Sequence, residues 1–240
     1  MCTMTWQFRD DGYELFFNRD EASSRLTAFP PEVRATHGVA HIAPTDADAG
    51  GTWMGVNAFG LSVCLLNGFG ITDSGRSDYI SRGALVASML HILSVDQAGQ
   101  VLTAMDLTSY RPFSLVVITP FSEVHVWHWD GIRLRTGAGV DGPLVSSSFK
   151  LVEVSDRRRS VFLEMRPRTP GELECFHRSH LPEAGPHSVC MHREDAHTVS
   201  LSRVVVSRDR VAFYYAPGQP CTTPFNAPVF LARRPVPGMR

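Results

Sequence analysis

Apolar residues in this chain come in runs of strand length, and these runs stand on both sides of one interval with helical periodicity. The longest runs, such as residues 114–120, fall far short of the roughly 18 apolar residues that indicate a transmembrane helix. In the helical interval, Ile80, Leu85, Met89 and Leu93 follow a 3.6-residue period. Strands, then helices, then strands again predict one layered α+β domain over residues 1–240.

The first third of the chain predicts β-structure. Runs bounded by turn residues suggest five strands in a meandering antiparallel sheet, at residues 3–8, 13–18, 41–43, 52–57 and 61–66. Asp10-Asp11-Gly12 marks a tight turn between the first two strands, and residues 58–60 mark a hairpin between the last two. The Pro30-Pro31 pair predicts a loop.

The rest of the chain predicts further helices and strands. A second helix at residues 97–105 follows the cap residues 94–96, which read Ser-Val-Asp. A short helix is expected at residues 157–165, and residues 166–187, with four prolines and three histidines, predict a loop. The expected strands are residues 114–119, 123–129, 132–135, 199–206 and 210–215.

The composition excludes several classes of function. The chain has 23 basic and 24 acidic residues, so its net charge of -1 provides no field to attract nucleic acid or an anionic membrane. Its 43% hydrophobic content excludes a disordered chain. The first residues lack the basic start and apolar run of a signal peptide, and five scattered cysteines do not resemble a secreted disulfide framework. We therefore expect a cytoplasmic protein without membrane insertion.

Cys2 is the first candidate catalytic residue. Methionine aminopeptidases remove Met1 when the second residue is small, which would leave Cys2 with a free α-amine. The ordinary pKa values of an α-amine, about 7.7, and of a thiol, about 8.5, both lie near neutrality. The amine can therefore act as general base for its own side chain. The alternative is a cysteine that stands at position 2 without any role.

Residues 18–21 read Asn-Arg-Asp-Glu and end the second predicted strand. A hairpin around residues 10–12 would bring Asn18, Arg19 and Asp20 back beside Cys2. Asp20 could then hold the α-amine, and the charge of Arg19 could lower the pKa of the thiol. The alternative is an ordinary solvated ion pair at a strand end.

Residues 50–55 read Gly-Gly-Thr-Trp-Met-Gly and lead into Asn57, Gly60 and Asn67. One interpretation places Asn67 at a strand end, with its amide directed at a developing oxyanion. The other is a glycine-rich turn and a hairpin around a buried Trp53.

The order and spacing of these three motifs resemble the NRDE family, also called the transport and Golgi organization protein 2 family. Residues 82–86 (Arg-Gly-Ala-Leu-Val) are similar to that family's helix start, and residues 190–206 resemble its late strand. The resemblance implies an Ntn-hydrolase-like fold, a four-layer αββα sandwich of two antiparallel sheets. It also implies kinship with choloylglycine hydrolases, penicillin V acylases and the isopenicillin N acyltransferase group.

The resemblance also implies roles for individual residues. Cys2 matches the nucleophile of those enzymes, Arg19 and Asp20 match the Arg and Asp that serve it, and Asn67 matches an oxyanion-hole Asn. The residues that we expect to contact substrate are Asn18, Trp53, His192, Thr198 and Ser200.

The chain departs from the enzymes' pattern at two places. They carry a further Asn near the middle of the chain, where this sequence has Ser146-Ser147-Ser148. They also keep a late Arg near the nucleophile, for which Arg203 is the candidate counterpart. Both departures weaken the prediction of amide hydrolysis and leave the predicted fold unchanged.

Cysteines and histidines crowd into residues 175–197, at Cys175, His177, His180, His187, Cys190, His192 and His197. Zinc sites use these residue types at short spacings. This stretch has no Cys-x-x-Cys pair and its spacings are irregular, so we expect no metal. The family resemblance instead implies that residues 192–200 lie at the rim of a pocket.

These observations together predict a cysteine hydrolase that acts on a linear amide or related acyl compound, without a cofactor. Its expected partner is a small acyl or amide substrate or an apolar ligand, and no nucleic acid. The alternative is a non-catalytic binding or trafficking protein for haem, lipid or acyl-CoA on the same scaffold. The missing middle Asn favours that alternative.

Overall fold

The computed structural model of the chain describes residues 1–69, 78–138 and 141–236. Within these ranges, strands and helices alternate in the order predicted for an α+β domain. The strands are β1 Cys2–Arg9, β2 Gly12–Ala22, β3 Phe29–Thr36, β4 Val39–Thr45, β5 Met54–Asn57, β6 Ser62–Asn67, β7 Phe113–Ile118, β8 Val124–Trp129, β9 Leu134–Ala138, β10 Leu144–Ser146, β11 Ala196–Val206, β12 Arg210–Ala216 and β13 Val229–Ala232. The helices are α1 Arg82–Met89, α2 Val95–Ala104, a 3₁₀ turn Leu107–Ser109, α3 Leu151–Met165 and α4 Pro170–Arg178.

The strands form two antiparallel sheets. The first sheet has the order β10-β1-β2-β11-β12-β13, and the second has the order β3-β4-β5-β6-β7-β8-β9. One apolar core lies between the sheets. A second core joins the outer face of the second sheet to α1 and α2, and smaller clusters join the first sheet to α3 and α4. This confirms the predicted four-layer αββα sandwich.

Strand β2 shows why the layers form. Its first nine residues are buried on both faces of the sheet. Tyr13, Leu15 and Phe17 point into the core between the sheets, whereas Phe16 packs with Leu173 of α4 on the helix side. Because side chains alternate across a strand, one run of apolar residues joins two layers.

Four elements differ from the sequence-based predictions. Pro30 and Pro31 lie within β3, at the edge of the second sheet, and not in a loop. An edge strand tolerates prolines because one side of its backbone has no ladder hydrogen bonds to lose. Residues 170–178, predicted as loop, form α4, whose capping box joins Thr169 and Glu172 and whose first helical residue is Pro170. Strands β10 and β13 were not predicted.

The prediction that the early strands form one meandering sheet was also wrong. The chain leaves the first sheet after β2, and β3 to β6 belong to the second sheet. Turn residues indicate where a strand ends but do not indicate which sheet the next strand joins. The predicted hairpin at residues 58–60 is confirmed, and so is the cap of α2, where Ser94 accepts a hydrogen bond from the Gln97 backbone. No helix in the described part of the chain is both long and apolar enough to cross a membrane.

Candidate active site

Cys2 begins β1, which lies in the first sheet between the edge strand β10 and β2. It lies opposite Arg19 on one side and Ser146 on the other. The Met1 amine donates to the Asp20 carbonyl oxygen over 2.8 Å, and the Asp20 N–H donates to the Met1 carbonyl oxygen over 2.8 Å. Because that neighbouring pair exchanges both hydrogen bonds, Cys2 and Arg19 form the closer, non-hydrogen-bonded kind of pair, with side chains on one face.

A cavity of about 400 Å³ opens at this point, and we call it the Cys2 cavity. All four predicted catalytic residues contribute to its wall: Cys2 from β1, Arg19 and Asp20 from β2, and Asn67 from β6. Trp53 lines it too, as predicted. The other charged residues of its wall are Glu21, Arg25, Asp46, Arg82 and Arg111.

Arg19 is held rigidly in this cavity. Its guanidinium donates to Asp46 over 2.5 Å and lies 3.3 Å from Glu21. Its other face stacks on Trp53, with 4.4 Å between the guanidinium carbon and the ring centre. The side chain is 6% exposed, so these contacts set its orientation.

The pKa of the Cys2 thiol differs from the sequence-based expectation. Burial raises the pKa of this thiol, and the nearby Asp20 and Glu21 carboxylates also raise it. The terminal amine and Arg19 act in the opposite direction, but burial is the largest effect. Arg19 therefore lowers the thiol pKa as expected, but burial outweighs its effect in the chain that retains Met1. The charge of Arg19 is already paired with Asp46.

Asp20 also plays a different part from the one expected. Its carboxylate accepts hydrogen bonds from Arg158 over 3.0 Å and from the Thr198 hydroxyl over 2.6 Å. Both Asp20 and Arg158 are fully buried, on the side of the sheet that faces α3. The contact of Asp20 with the N-terminus is made by its backbone and not by its carboxylate.

The glycine-rich motif places the helix α1 at the cavity wall. A Cβ atom on Gly51 would lie 2.4 Å from the Gly83 carbonyl carbon, so only glycine permits this approach of loop and helix. The Thr52 N–H donates to the Gly83 carbonyl oxygen over 3.1 Å. This contact brings the first turn of α1, with Arg82, beside Trp53.

Sequence reasoning missed four charged residues of the cavity, Arg25, Asp46, Arg82 and Arg111. Arg82 donates to the backbone carbonyl oxygen of Pro112 over 2.8 Å. Burial, together with the neighbouring Arg111, lowers the pKa of Arg82 to about 10. A signal existed for Arg82, because the family resemblance marks it as a helix start. The isolated Arg111 and Asp46 carry no comparable signal.

Four predicted substrate-binding residues do not line the Cys2 cavity as the structure describes it. Asn18 is adjacent to Arg19 in β2, so its side chain faces the helices and donates to the His177 and Val189 carbonyl oxygens. Thr198 serves Asp20, on the same side of the sheet. Ser200 is buried on the far side of a register shift in β11. His192 lies in the loop before β11, beside His180.

The two departures from the hydrolase pattern can also be placed. Ser146 lies directly opposite Cys2, and its hydroxyl has no hydrogen-bond partner among the described residues. Arg203 was expected to lie near Cys2, but it pairs instead with Glu14 over 2.7 Å. Arg158 of α3 reaches the Cys2 strand, where it donates to Thr3 over 2.5 Å.

Solved structures share this fold. An N-acylethanolamine-hydrolyzing acid amidase ortholog from Caenorhabditis elegans has a TM-score of 0.59 at 14% identity, over 85% of this chain and 92% of that chain. A mutant conjugated bile acid hydrolase from Clostridium perfringens has a TM-score of 0.55 at 12% identity, over 97% of this chain and 92% of that chain. These similarities establish the Ntn-hydrolase fold.

Sequence comparison identifies the family. No curated protein sequence matches the chain significantly. Residues 1–137 match the family described as "Transport and Golgi organisation 2". This segment holds Cys2, Arg19, Asp20 and Asn67. Because the match extends over more than half of the 240 residues, the chain belongs to the Transport and Golgi organisation 2 family.

Proposed function

We propose that this protein is an N-terminal-cysteine hydrolase that cleaves a linear amide or related acyl compound once Met1 has been removed. The observation that carries the proposal is the meeting of Cys2, Arg19 and Asn67 around one cavity at the start of β1. The fold is shared with enzymes whose names describe hydrolysis of N-acylethanolamines and of conjugated bile acids. At 14% identity or less, these similarities support only the scaffold, and the site residues support the chemistry.

Removal of Met1 is central to the proposed chemistry. With Met1 present, the amine lies one residue from the thiol and is bonded to the Asp20 carbonyl oxygen. Without Met1, amine and thiol share the Cα of Cys2. The buried Met1 would also leave its place beside Ser147, which opens a path to the thiol.

The proposed reaction has two stages. The α-amine takes the thiol proton while the sulfur attacks the substrate carbonyl, and the Asn67 amide stabilises the resulting oxyanion. The carbon–nitrogen bond then breaks, the proton passes to the leaving amine, and an acyl group remains on Cys2. Water, deprotonated by the same α-amine, hydrolyses this thioester and restores the thiol.

The cavity wall indicates what kind of substrate fits. Trp53, Leu65 and Ile80 provide apolar surface for an acyl chain. Arg82 and Arg111 add positive charge on the side of α1. We therefore favour a substrate that combines an apolar acyl group with an anionic group, such as an N-acyl amino acid.

One observation favours a second candidate, a binding or trafficking protein for haem, lipid or acyl-CoA. Burial raises the pKa of the Cys2 thiol, so the chain that retains Met1 holds a thiol and not a thiolate at neutral pH. The same arginines would then bind the carboxylates or phosphates of a ligand without turnover.

Intact mass spectrometry first establishes what fraction of the purified protein has lost Met1. That protein is then incubated with N-acyl amino acids, and with primary amides of the same acyl groups as a neutral comparison. We expect product release, an acyl adduct on Cys2 and a preference for the anionic substrates. Cys2→Ala is the blank, and Cys175→Ser, which changes an exposed thiol, is the matched control with normal turnover.

Turnover that survives in Cys2→Ala would contradict the assignment of the nucleophile. Absence of turnover in Met1-free protein, with tight binding of haem or acyl-CoA, would favour the second candidate.

A further inference from the structure

Two histidines and two cysteines converge in one cluster outside the Cys2 cavity. His180, Cys190, His192 and Cys221 form this cluster, and their side-chain ligand atoms all lie within 4.8 Å of one another. The sequence-based expectation of no metal considered spacings within residues 175–197 and left Cys221 out. Folding supplies it from a turn 29 residues beyond His192.

Three connections between secondary-structure elements supply the four residues. His180 follows α4, Cys190 and His192 precede β11, and Cys221 lies in the turn after β12. The Cys190 N–H donates to the Ser179 carbonyl oxygen over 3.0 Å, which fixes the loop across the base of α4. Arg178, at the end of α4, donates to the Thr223 carbonyl oxygen over 2.9 Å and so holds the Cys221 turn nearby.

The distances within the cluster match a tetrahedral ion site. The Nε2 atom of His192 lies 3.0 Å from Nε2 of His180, 3.6 Å from Sγ of Cys190 and 3.7 Å from Sγ of Cys221. Zinc bound at its usual distances of about 2.0–2.1 Å to nitrogen and about 2.3 Å to sulfur separates its ligand atoms by about 3.3 to 3.8 Å. The side chains therefore already surround a point suitable for one ion.

We propose that His180, Cys190, His192 and Cys221 bind one Zn²⁺ ion. The donor set of two thiolates and two imidazoles is the one that zinc prefers in structural sites. Four protein ligands leave no open position on the ion, so the site is structural and not catalytic.

Two successive hydrogen bonds connect the proposed zinc site to Asp20, in the strand next to that of Cys2. Met191 stands between two of the ligands, and its N–H donates to the Thr198 hydroxyl oxygen over 2.7 Å. That hydroxyl donates in turn to the Asp20 carboxylate. Residues 179–195, all of them described, form no helix or strand, and irregular loops of this length are uncommon in compact domains. A bound ion would hold this loop in one conformation.

Metal content of the full chain tests the proposal. The protein is purified without chelators and with a thiol reductant, and its zinc is measured by inductively coupled plasma mass spectrometry. We expect one zinc per chain. Replacement by Co²⁺ should give visible d–d bands and a near-ultraviolet sulfur-to-cobalt band, the signature of a tetrahedral thiolate site.

Substitution identifies the ligands. Cys221→Ser should weaken zinc binding by 10–100-fold or more, since even substitutions behind the ligands cause losses on the order of 10–100-fold. Cys175→Ser and His187→Ala change residues of the same types outside the cluster and should each keep one zinc. If Cys221→Ser does not fold, the cobalt spectrum and zinc content of the unaltered chain decide the question.

Two results would overturn the proposal. One is a folded chain that binds neither Zn²⁺ nor Co²⁺ after supplementation. The other is a Cys190–Cys221 disulfide, detected by peptide mapping of protein alkylated without reduction. Because the readout is metal content, a zinc-bound chain without amidase activity would support this site while contradicting the proposed function.

Discussion

At the scale of single residues, opposing effects act on the pKa of the Cys2 thiol, and Met1 contributes to them. The amine and Arg19 favour the thiolate, whereas burial and two carboxylates favour the thiol. Met1 contributes to that burial, since it covers the start of β1 and is itself 9% exposed. In the proposed mechanism, removal of Met1 changes both the access to the thiol and the position of the base.

We expect the order of cysteine reactivity to depend on Met1. In chains that retain Met1, Cys2 should react with iodoacetamide more slowly than the exposed Cys175, because burial raises the Cys2 pKa. In chains without Met1, Cys2 should react faster than Cys175. Both forms can be followed in one sample, because their N-terminal peptides differ in mass. Equal Cys2 labelling in the two forms would contradict this interpretation.

A second prediction at this scale concerns Asn67. If its amide stabilises the oxyanion, Asn67→Ala should lower kcat by on the order of 10²–10³. Substrate binding should change little, because the ground-state carbonyl gains less from that donor. Asn226→Ala, which changes an exposed asparagine, should leave kcat unchanged. A rise in KM with normal kcat would instead assign Asn67 to substrate binding.

At the scale of elements, side chains alternate between the two faces of β2. The side chain of Arg19 faces the Cys2 cavity, whereas the side chains of Asn18 and Asp20 face the outer helices. On the helix side, His177 of α4 is fully buried and bonds Thr5 of β1 over 2.7 Å and Asn18 of β2 over 2.9 Å. Because the Asn18 amide nitrogen donates elsewhere, its oxygen accepts from His177 Nδ1. Burial lowers the pKa of His177, so the ring that joins α4 to the sheet is neutral and its Nε2 accepts from the Thr5 hydroxyl.

This neutral histidine predicts a loss of stability in acid. Burial, with a smaller effect of Arg158, lowers the pKa of His177 from 6.5 to about 3. Between these values the unfolded chain binds the proton and the folded chain does not, so stability falls as the pH drops below about 6.5.

Urea unfolding of the wild type and of His177→Gln at pH 7 and pH 5 measures this effect. The wild-type advantage in free energy of unfolding should narrow by about 2 kcal/mol between the two values, since each pKa unit is about 1.4 kcal/mol. An advantage that stays constant with pH would show that His177 does not titrate in this way.

At the scale of the whole molecule, one buried ion pair connects the outer helix layer to the strand that carries the site. Arg158 of α3 and Asp20 of β2 are both completely buried and lie 3.0 Å apart. The same guanidinium reaches Thr3 of β1, and Thr198 of β11 completes the contacts of Asp20. Three neighbouring strands and one helix thus meet at a single charge pair behind Cys2.

Removing one partner should therefore destabilise the entire fold. Arg158→Met leaves the Asp20 carboxylate buried without its counter-ion, and we expect a loss of about 3–5 kcal/mol in free energy of unfolding. Arg159→Met changes the adjacent, exposed arginine and should lie within about 0.5 kcal/mol of the wild type. Denaturant unfolding of both variants makes the comparison. A similar loss in the two would contradict a specific role for the pair.

Much of the fold and part of the site follow from local signals in the sequence. Apolar runs and turn residues predict most strands, and Ser94 predicts the start of α2. The capping pair Thr169 and Glu172 could also have predicted α4, because a capping box acts within one helical turn. Cys2 and Arg19 were predicted as neighbours because a short hairpin joins their strands.

What only the tertiary structure decided depends on contacts between distant segments. Three examples join residues that are far apart in sequence. Strand β3 joins the second sheet, Asp20 pairs with Arg158, and Cys221 lies beside His192. The raised pKa of Cys2 belongs to the same class, because desolvation is the sum of everything that packs around a group. Residue type and spacing determined which chemistry was available at Cys2, and packing determined the surroundings of its thiol, because the sequence does not record how deeply a side chain is buried.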